Sequence, residues 1–274
     1  MPETLASLSR QAILIPCTSR SWGEMLEQDY PGKGVLTETA YGIYESGLVV
    51  KKRDEVVLLC EESRLVQIEK IKELVQADFI PRGRRAKESK YELTEGLDDR
   101  WAFGYLGSML GEETISKQCV PLIFPPFSNQ YSLVIWPSGT FRECPPGRFF
   151  YQVCVYLDGL KRGRPELFDG VSILIGDEAV LIRPNKPDGV AIQKIDGIKA
   201  LVEENIIQPE TSLLIVDDDR TDLTAANYLQ KNGGTILVPE NAGSQLRAMA
   251  DAVLPGTAGY AAAPIFESLI QEKL

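Results

Sequence analysis

Apolar residues fall along this chain in two textures. Near both ends they come in short unbroken runs that stop against small polar or acidic residues. Through the middle they crowd among prolines and aromatic residues. "QAILIPCTSR" (11–20) and "SLLIVDDD" (212–219) belong to the first texture, and each predicts a buried strand. "GVLTETAYGIYESGLVV" (34–50) alternates and carries glycines, as paired strands of a hairpin do. Helical patterns lie between. They cover residues 1–10, "SWGEMLEQ" (21–28) with Ser21 and Glu24 as a capping box, "IDGIKALVEENI" (195–206) and "TDLTAANYLQKN" (221–232). "GGTILVPEN" (233–241) reads as a further strand, and "SQLRAMADAV" (244–253) and "AAPIFESLIQEKL" (262–274) as helices. Strands alternating with helices predict an α/β fold around a parallel sheet.

The second texture starts after about residue 55. "EVVLLCEE" (55–62) predicts a strand and "SRLVQIEKIKELVQ" (63–76) an amphipathic helix, followed by the basic stretch "PRGRRAKESK" (81–90). "CVPLIFPPF" (119–127), "YSLVIWPSG" (131–139), "FFYQVCVYL" (149–157) and "VSILIGDEAVLIRP" (171–184) are dense in β-branched and aromatic residues. They predict a β-rich insert, residues 56–187, within an α/β core made of 1–55 and 188–274.

Composition narrows the function classes. A formal net charge of −10 argues against a nucleic-acid partner, because phosphate backbones need a basic surface. The chain has no histidine, so a metal site must use oxygen or thiolate ligands. Its five cysteines are odd in number, scattered and without a C-x-x-C, which points to reduced thiols rather than a disulfide framework. "MPETLASLSRQ" lacks the basic and apolar regions of a signal peptide, and no apolar run is long enough to cross a bilayer. A cytoplasmic protein with no membrane partner is the expectation.

The strand ends carry the candidate chemistry. In an open parallel sheet, ligands bind beyond the carboxyl ends of the strands. Asp217, Asp218 and Asp219 stand at one such end, with Asp222 at the start of the next helix. Carboxylates this close repel unless a cation sits among them, and Mg2+ favours oxygen ligands with a phosphate. The alternative is a helix cap from Asp219 or Thr221. "CTSR" (17–20) ends the other strand and suits an anion, though Ser and Thr also cap helices widely. Lys194 precedes a helix and reads either as a phosphate ligand or as a solvated surface residue. Arg82, Arg84, Arg85, Lys87 and Lys90 form either a substrate-anion site or a charged loop.

In order, these pieces resemble the haloacid dehalogenase (HAD) superfamily, nearest to its sugar-phosphate phosphatases of the sucrose-phosphate and mannosyl-phosphoglycerate types. "ILIPCTSRSWGE" (13–24) is similar to the second motif, which implies phosphate binding by Thr18 and Ser19 with Arg20 beside them. "VLTETAYGIY" (35–44), with Glu38, resembles the family's E-N-G-x-x-I segment, with Thr39 and Ala40 in place of Asn and Gly. "KIDGIKALVEENIIQPE" (194–210) resembles the third motif, with Lys194 as its phosphate-binding lysine and Ile195 where Gly is usual. "IVDDDRTD" (215–222) resembles the fourth, which makes Asp218 and Asp222 the Mg2+ ligands. "VPENAGSQLRAMADAVLPGTAGYAAAPIFESLI" (238–270) looks like the family's tail. The resemblance implies a Rossmann-like core with an inserted α+β cap, hydrolysis of a small phosphorylated metabolite, and Arg84, Arg85, Lys87, Arg20 and Glu38 as substrate-contacting positions.

The family's first motif, a strand ending in Asp-x-Asp-x-Thr that supplies the nucleophile, is not found ahead of residue 11. The only Asp-x-Asp is Asp217 to Asp219. Three explanations stand open: a start downstream of that motif, another strand in its place, or flanking strands that close together. Two other functions follow as alternatives, a non-catalytic HAD-like binding or regulatory protein and a phosphorelay receiver-like domain. The 63 residues from Ser212 to Leu274 are few for a receiver's five strand–helix units.

Overall fold

The structure is a computed structural model. It describes residues 12–19, 25, 38–79, 121–123, 131–137, 146–175, 180–217 and 221–256. The helices expected over 1–10 and 262–274 lie outside the described residues, as do the one over 21–28 apart from the helical, buried Met25, and Arg20, Arg84, Arg85, Lys87, Asp218 and Asp219. The chain divides into two compact units, one from Met1–Leu59 with Ile192–Leu274 and the other from Cys60–Ala191.

In the first unit, β1 (Tyr41–Tyr44), β2 (Val49–Lys52) and β3 (Glu55–Leu58) form an antiparallel sheet in that order. Tyr44 faces Val49 across a four-residue turn in which Glu45, Ser46 and Gly47 have positive φ. The segment through Cys17 lies parallel to β1 by a bridge at Ile43. It forms only this bridge, rather than the continuous buried strand the sequence predicts, and Ile13 is 61% exposed.

Helix α1 (Glu62–Phe79) opens the second unit. There β4 (Pro121–Ile123), β5 (Leu133–Pro137), β6 (Val171–Ile175) and β7 (Val180–Pro184) make an antiparallel sheet ordered β4-β5-β7-β6. Leu133 registers on Ile182, which registers on Ile173. Helix α2 (Pro146–Gly163) takes the place of the strand expected at "FFYQVCVYL". The aromatic and β-branched residues there suggest a strand, yet Val153, Tyr156 and Leu157 are buried while Asp158 is exposed, a helical spacing. Ile68, Ile71 and Val75 of α1 join them, with Leu133, Ile135, Val180 and Ile182 of the sheet, in one core. The insert is therefore α+β, with antiparallel strands whose alternate residues meet two helices.

After residue 192 the chain returns to the first unit. Helix α3 (Lys194–Glu203) leads to β8 (Leu213–Ile215), helix α4 (Leu223–Lys231), β9 (Thr235–Pro239), helix α5 (Ser244–Met249) and β10 (Ala252–Leu254). β8, β9 and β10 are parallel, in the order β10-β9-β8. The helix predicted over 244–253 stops at Met249, and Ala252–Leu254 becomes an edge strand beside Leu237 to Pro239. Ile236 and Val238 pack with Ile198 and Leu201 of α3 and with Ala225, Ala226 and Leu229 of α4. Leu237, between them, turns to the opposite face with Leu254 and Ile215. Period-two alternation within β9 thus separates the helix-covered face from the other. No helix among the described residues is long and apolar enough to cross a membrane.

Candidate functional site

Three chain segments of the first unit meet at one end of its strands. The Cys17–Thr18 strand end is fixed by the main chain. Ile43 N–H donates to Pro16 O at 2.8 Å, and Thr18 N–H donates to Ile43 O at 2.9 Å. The turn after β1 then reaches over, with Ser46 N–H donating to Thr18 O at 3.0 Å. Glu45 and Ser46 hold left-handed conformations (φ 48° and 56°) that non-glycine residues adopt at a cost of about 1–3 kcal/mol each. Both are buried, so the surrounding packing imposes the turn.

Gly47 completes it at φ 99°, and a Cβ there would lie 2.1 Å from the Gln193 carbonyl oxygen. The turn therefore packs against the start of α3. That start is closed by a capping box in which Gln193 N–H donates to the Asp196 carboxylate at 2.8 Å. Helix α3 can also press onto β1 because Gly197 has no side chain; a Cβ there would stand 2.6 Å from Ile43 Cγ2.

Lys194 is the first residue of α3 and is buried. Its ammonium donates to Oδ1 of Asp222, also buried, in an ion pair that joins residues 28 apart. The surface reading of Lys194 is thereby corrected: the helix start turns inward, against the Gly47 turn, and carries the lysine with it. Asp219, the first of the two residues expected as a cap, lies outside the described residues. Asp222 is the N-cap residue of α4, but its side chain makes no cap bond; its carboxylate faces Lys194, and Thr221 Oγ1 donates to it at 3.4 Å.

Cys17 reports how near the strand end lies to this pair. Burial pushes its thiol up to about 11, the Lys194 ammonium pulls it down, and the Asp222 carboxylate raises it again. The thiol stays protonated at neutral pH. Sequence reasoning passed over Cys17 as one of several scattered thiols; its place directly before Thr18 was the available signal.

Of the expected site residues, Thr18, Lys194 and Asp222 thus fall within one neighbourhood, with Thr18 half-buried and Ser19 exposed next to it. Asp217 is exposed, and its carbonyl accepts from Gly243 N–H at 3.0 Å. Glu38 is exposed, before β1. Among the described residues no group of three or more Cys, Asp and Glu is placed to hold a metal ion. Asp218, Arg20, Arg84, Arg85 and Lys87 lie outside the residues that bear on this. The arrangement can offer an anion a hydroxyl and an ammonium, and a cation a carboxylate.

No family model matches the sequence, and no curated protein matches it in sequence. In three dimensions the chain is similar to a haloacid dehalogenase-like hydrolase from Bacteroides thetaiotaomicron, at 14% identity and a TM-score of 0.57, covering 98% of this chain and 91% of that one. It is similar to a trehalose-6-phosphate phosphatase related protein at 10% identity and a TM-score of 0.53, covering 99% and 86%. It is also similar to a HAD subclass IIB sugar phosphatase at 11% identity and a TM-score of 0.50, covering 97% and 89%. These matches run nearly the whole length, not over a receiver-sized stretch after Ser212. At such identities the likeness shows the fold alone, an α/β core with a parallel sheet, as in these haloacid dehalogenase-like structures.

Proposed function

We propose that the first unit binds the phosphate of a phosphorylated sugar or similar small metabolite and, with Mg2+, hydrolyses the ester. One observation carries the reading: the Thr18 strand end, the Lys194 ammonium and the Asp222 carboxylate converge from three distant segments. A structural lysine rarely needs such placement, since burying an ion pair costs several kcal/mol per charge in desolvation. In this reading the Thr18 hydroxyl donates to a phosphate oxygen, and Lys194 balances its charge. The phosphatases named among the similar structures support a phosphate ester as the ligand class.

Mg2+ fits the donor chemistry. The chain has no histidine, and the Thr18 hydroxyl and the Asp217 and Asp222 carboxylates offer hard oxygen donors in this region. Asp218 and Asp222 would hold the ion, which when bound neutralises phosphate charge. Asp217 and Asp219 are the first residues to test as nucleophile, being the only Asp-x-Asp in the chain.

A second reading, a non-catalytic phosphate-ester binding protein, is favoured by one observation: the Asp222 carboxylate is already engaged by Lys194. Phosphate release from sugar phosphates and an aryl phosphate, with Mg2+ or chelator, separates the two. Chelator-sensitive turnover supports hydrolysis, and Asp218→Asn should then abolish the Mg2+ dependence. Saturable phosphate-ester binding without turnover supports the binding protein. Absence of both would overturn the site itself.

A further inference from the structure

The Lys194–Asp222 contact joins two groups that the phosphate-site reading assigns to ligands of opposite charge, the ammonium to an anion and the carboxylate to a cation. In the ligand-free chain each is instead the partner of the other. Lys194 Nζ donates to Asp222 Oδ1, and the same oxygen accepts from Thr221 Oγ1 at 3.4 Å. The two side chains are 9% and 4% exposed, so water is poorly placed to replace a lost partner. Their main chains are held. Lys194 begins α3 behind the Gln193–Asp196 capping box, and Ala226 N–H donates to Asp222 O at 2.9 Å as α4 begins. The charges therefore part by side-chain rotation rather than by movement of the helices.

The Cys17 thiol reads the field of the pair from the neighbouring strand end. Burial acts on it most strongly, and the charges that act on it are Lys194 and Asp222, with opposite sign. An anion arriving at Thr18 thus meets two charges that offset each other, not a bare ammonium. If it draws the ammonium away, it leaves the carboxylate buried without a counter-charge. A cation that draws the carboxylate away does the same to the ammonium. The two ligands together restore balance, because each protein group exchanges one opposite charge for another. Linkage makes the dependence mutual: the factor by which the anion raises cation affinity is the factor by which the cation raises anion affinity.

We propose that the Lys194–Asp222 pair is an internal latch, which weakens binding of a phosphate or a divalent cation alone and yields to the two together. The proposal rests on the phosphate-site reading and adds to it that the pair itself, beyond any contact between the ligands, couples their binding. An engaged Asp222 is then the resting state of a cation ligand.

The test uses the full chain with carbon-13 in its aspartate carboxyls, the Asp222 signal being assigned by its loss in Asp222→Asn. MgCl2 is added alone and with excess inorganic phosphate. The half-saturating Mg2+ concentration at Asp222 should fall at least tenfold when phosphate is present. Two variants isolate the pair from direct contact between the ligands. Lys194→Gln should take up Mg2+ alone at least tenfold more tightly than the parent, while Lys199→Gln, which removes an exposed cation of the same helix, should stay within about twofold. Asp222→Asn should bind inorganic phosphate alone at least tenfold more tightly than the parent, as read by calorimetric titration. If Lys194→Gln does not fold, the parent and Asp222→Asn decide the matter. Coupling below about twofold in the parent would overturn the latch and leave the phosphate site standing, as would an Asp222→Asn that binds phosphate no better than the parent. Absence of phosphate binding together with an Asp222 signal blind to Mg2+ would overturn the site reading, and the latch with it.

Discussion

Replacing Lys194 by methionine tests whether the buried pair is a stabilising contact or a functional charge held at a cost. The lysine and aspartate side chains are 9% and 4% exposed, so solvent screens neither. Removing the ammonium leaves the Asp222 carboxylate buried and uncompensated, which costs about 3–5 kcal/mol in comparable cases. At about 2–4 °C per kcal/mol, the transition of this unit should fall by roughly 6–20 °C. Replacing both partners, with Lys194→Met and Asp222→Leu together, removes charge and desolvation cost alike. That double variant should return to within about 1 kcal/mol of the parent, or exceed it. Calorimetry with urea unfolding provides the measurement, read at the transition of the unit that carries the pair. Phosphate-ester binding should be lost in both variants. A single variant that loses less than about 1 kcal/mol, or a double variant no more stable than the single, would refute the buried, uncompensated geometry. A stable double variant that still bound the ester would refute the functional role.

Other outcomes follow from the same region. Thr18→Val should weaken phosphate-ester binding by about 10- to 100-fold, the worth of a hydrogen bond to a charged group, as read by calorimetric titration. Cys17 should alkylate at pH 8 about 100-fold more slowly than a free thiol, since its pKa is raised from 9.0 to about 11; peptide mass spectrometry gives the rate. The raised value also has a sign for stability. Its contribution is fully present below pH 9 and is lost as pH rises through about 11, so Cys17→Ala should flatten the alkaline fall in unfolding free energy, read from urea titrations, by about 2–3 kcal/mol. Gly47→Ala should destabilise by at least about 2 kcal/mol, because φ 99° is unfavourable and the new methyl meets the Gln193 carbonyl. Gly163→Ala, where a Cβ meets open space, is the control, with a change within about 1 kcal/mol by the same denaturation assay.

How much of this could be read in the sequence varied with the range of the interactions. Strand β8 and helices α3 and α4 were legible because their cues are local: an aliphatic run, then a 3.6-residue period bounded by polar residues. Helix α2 was not, because Phe, Tyr and Val favour strands as isolated residues and only their contacts show the helical face of Val153, Tyr156 and Leu157. The edge strand β10 was hidden since Ala252–Leu254 continues the polarity pattern of the preceding helix, and its pairing with β9 is a long-range event. Thr18, Lys194 and Asp222 were each singled out, but the ion pair between the last two crosses 28 residues and leaves no periodic trace. Cys17 had no chemistry of its own to draw the eye; its perturbation is a product of burial.

The two-stretch construction of the first unit has a kinetic consequence. Thr18 and Lys194 lie on opposite sides of an interruption running from Cys60 to Ala191, 132 residues long. Closing a loop of that length, rather than one of about ten residues, costs roughly 2.3 kcal/mol more in chain entropy. Every contact between the Cys17 segment or the Gly47 turn and α3 carries that closure cost while the insert is unfolded. An insert that collapses early onto its own core, around Ile71, Ile135 and Leu157, would shorten the effective loop before the other unit assembles. Refolding of the first unit should then track refolding of the insert, and mutations in a core far from Lys194 along the chain would slow the appearance of the Lys194–Asp222 pair.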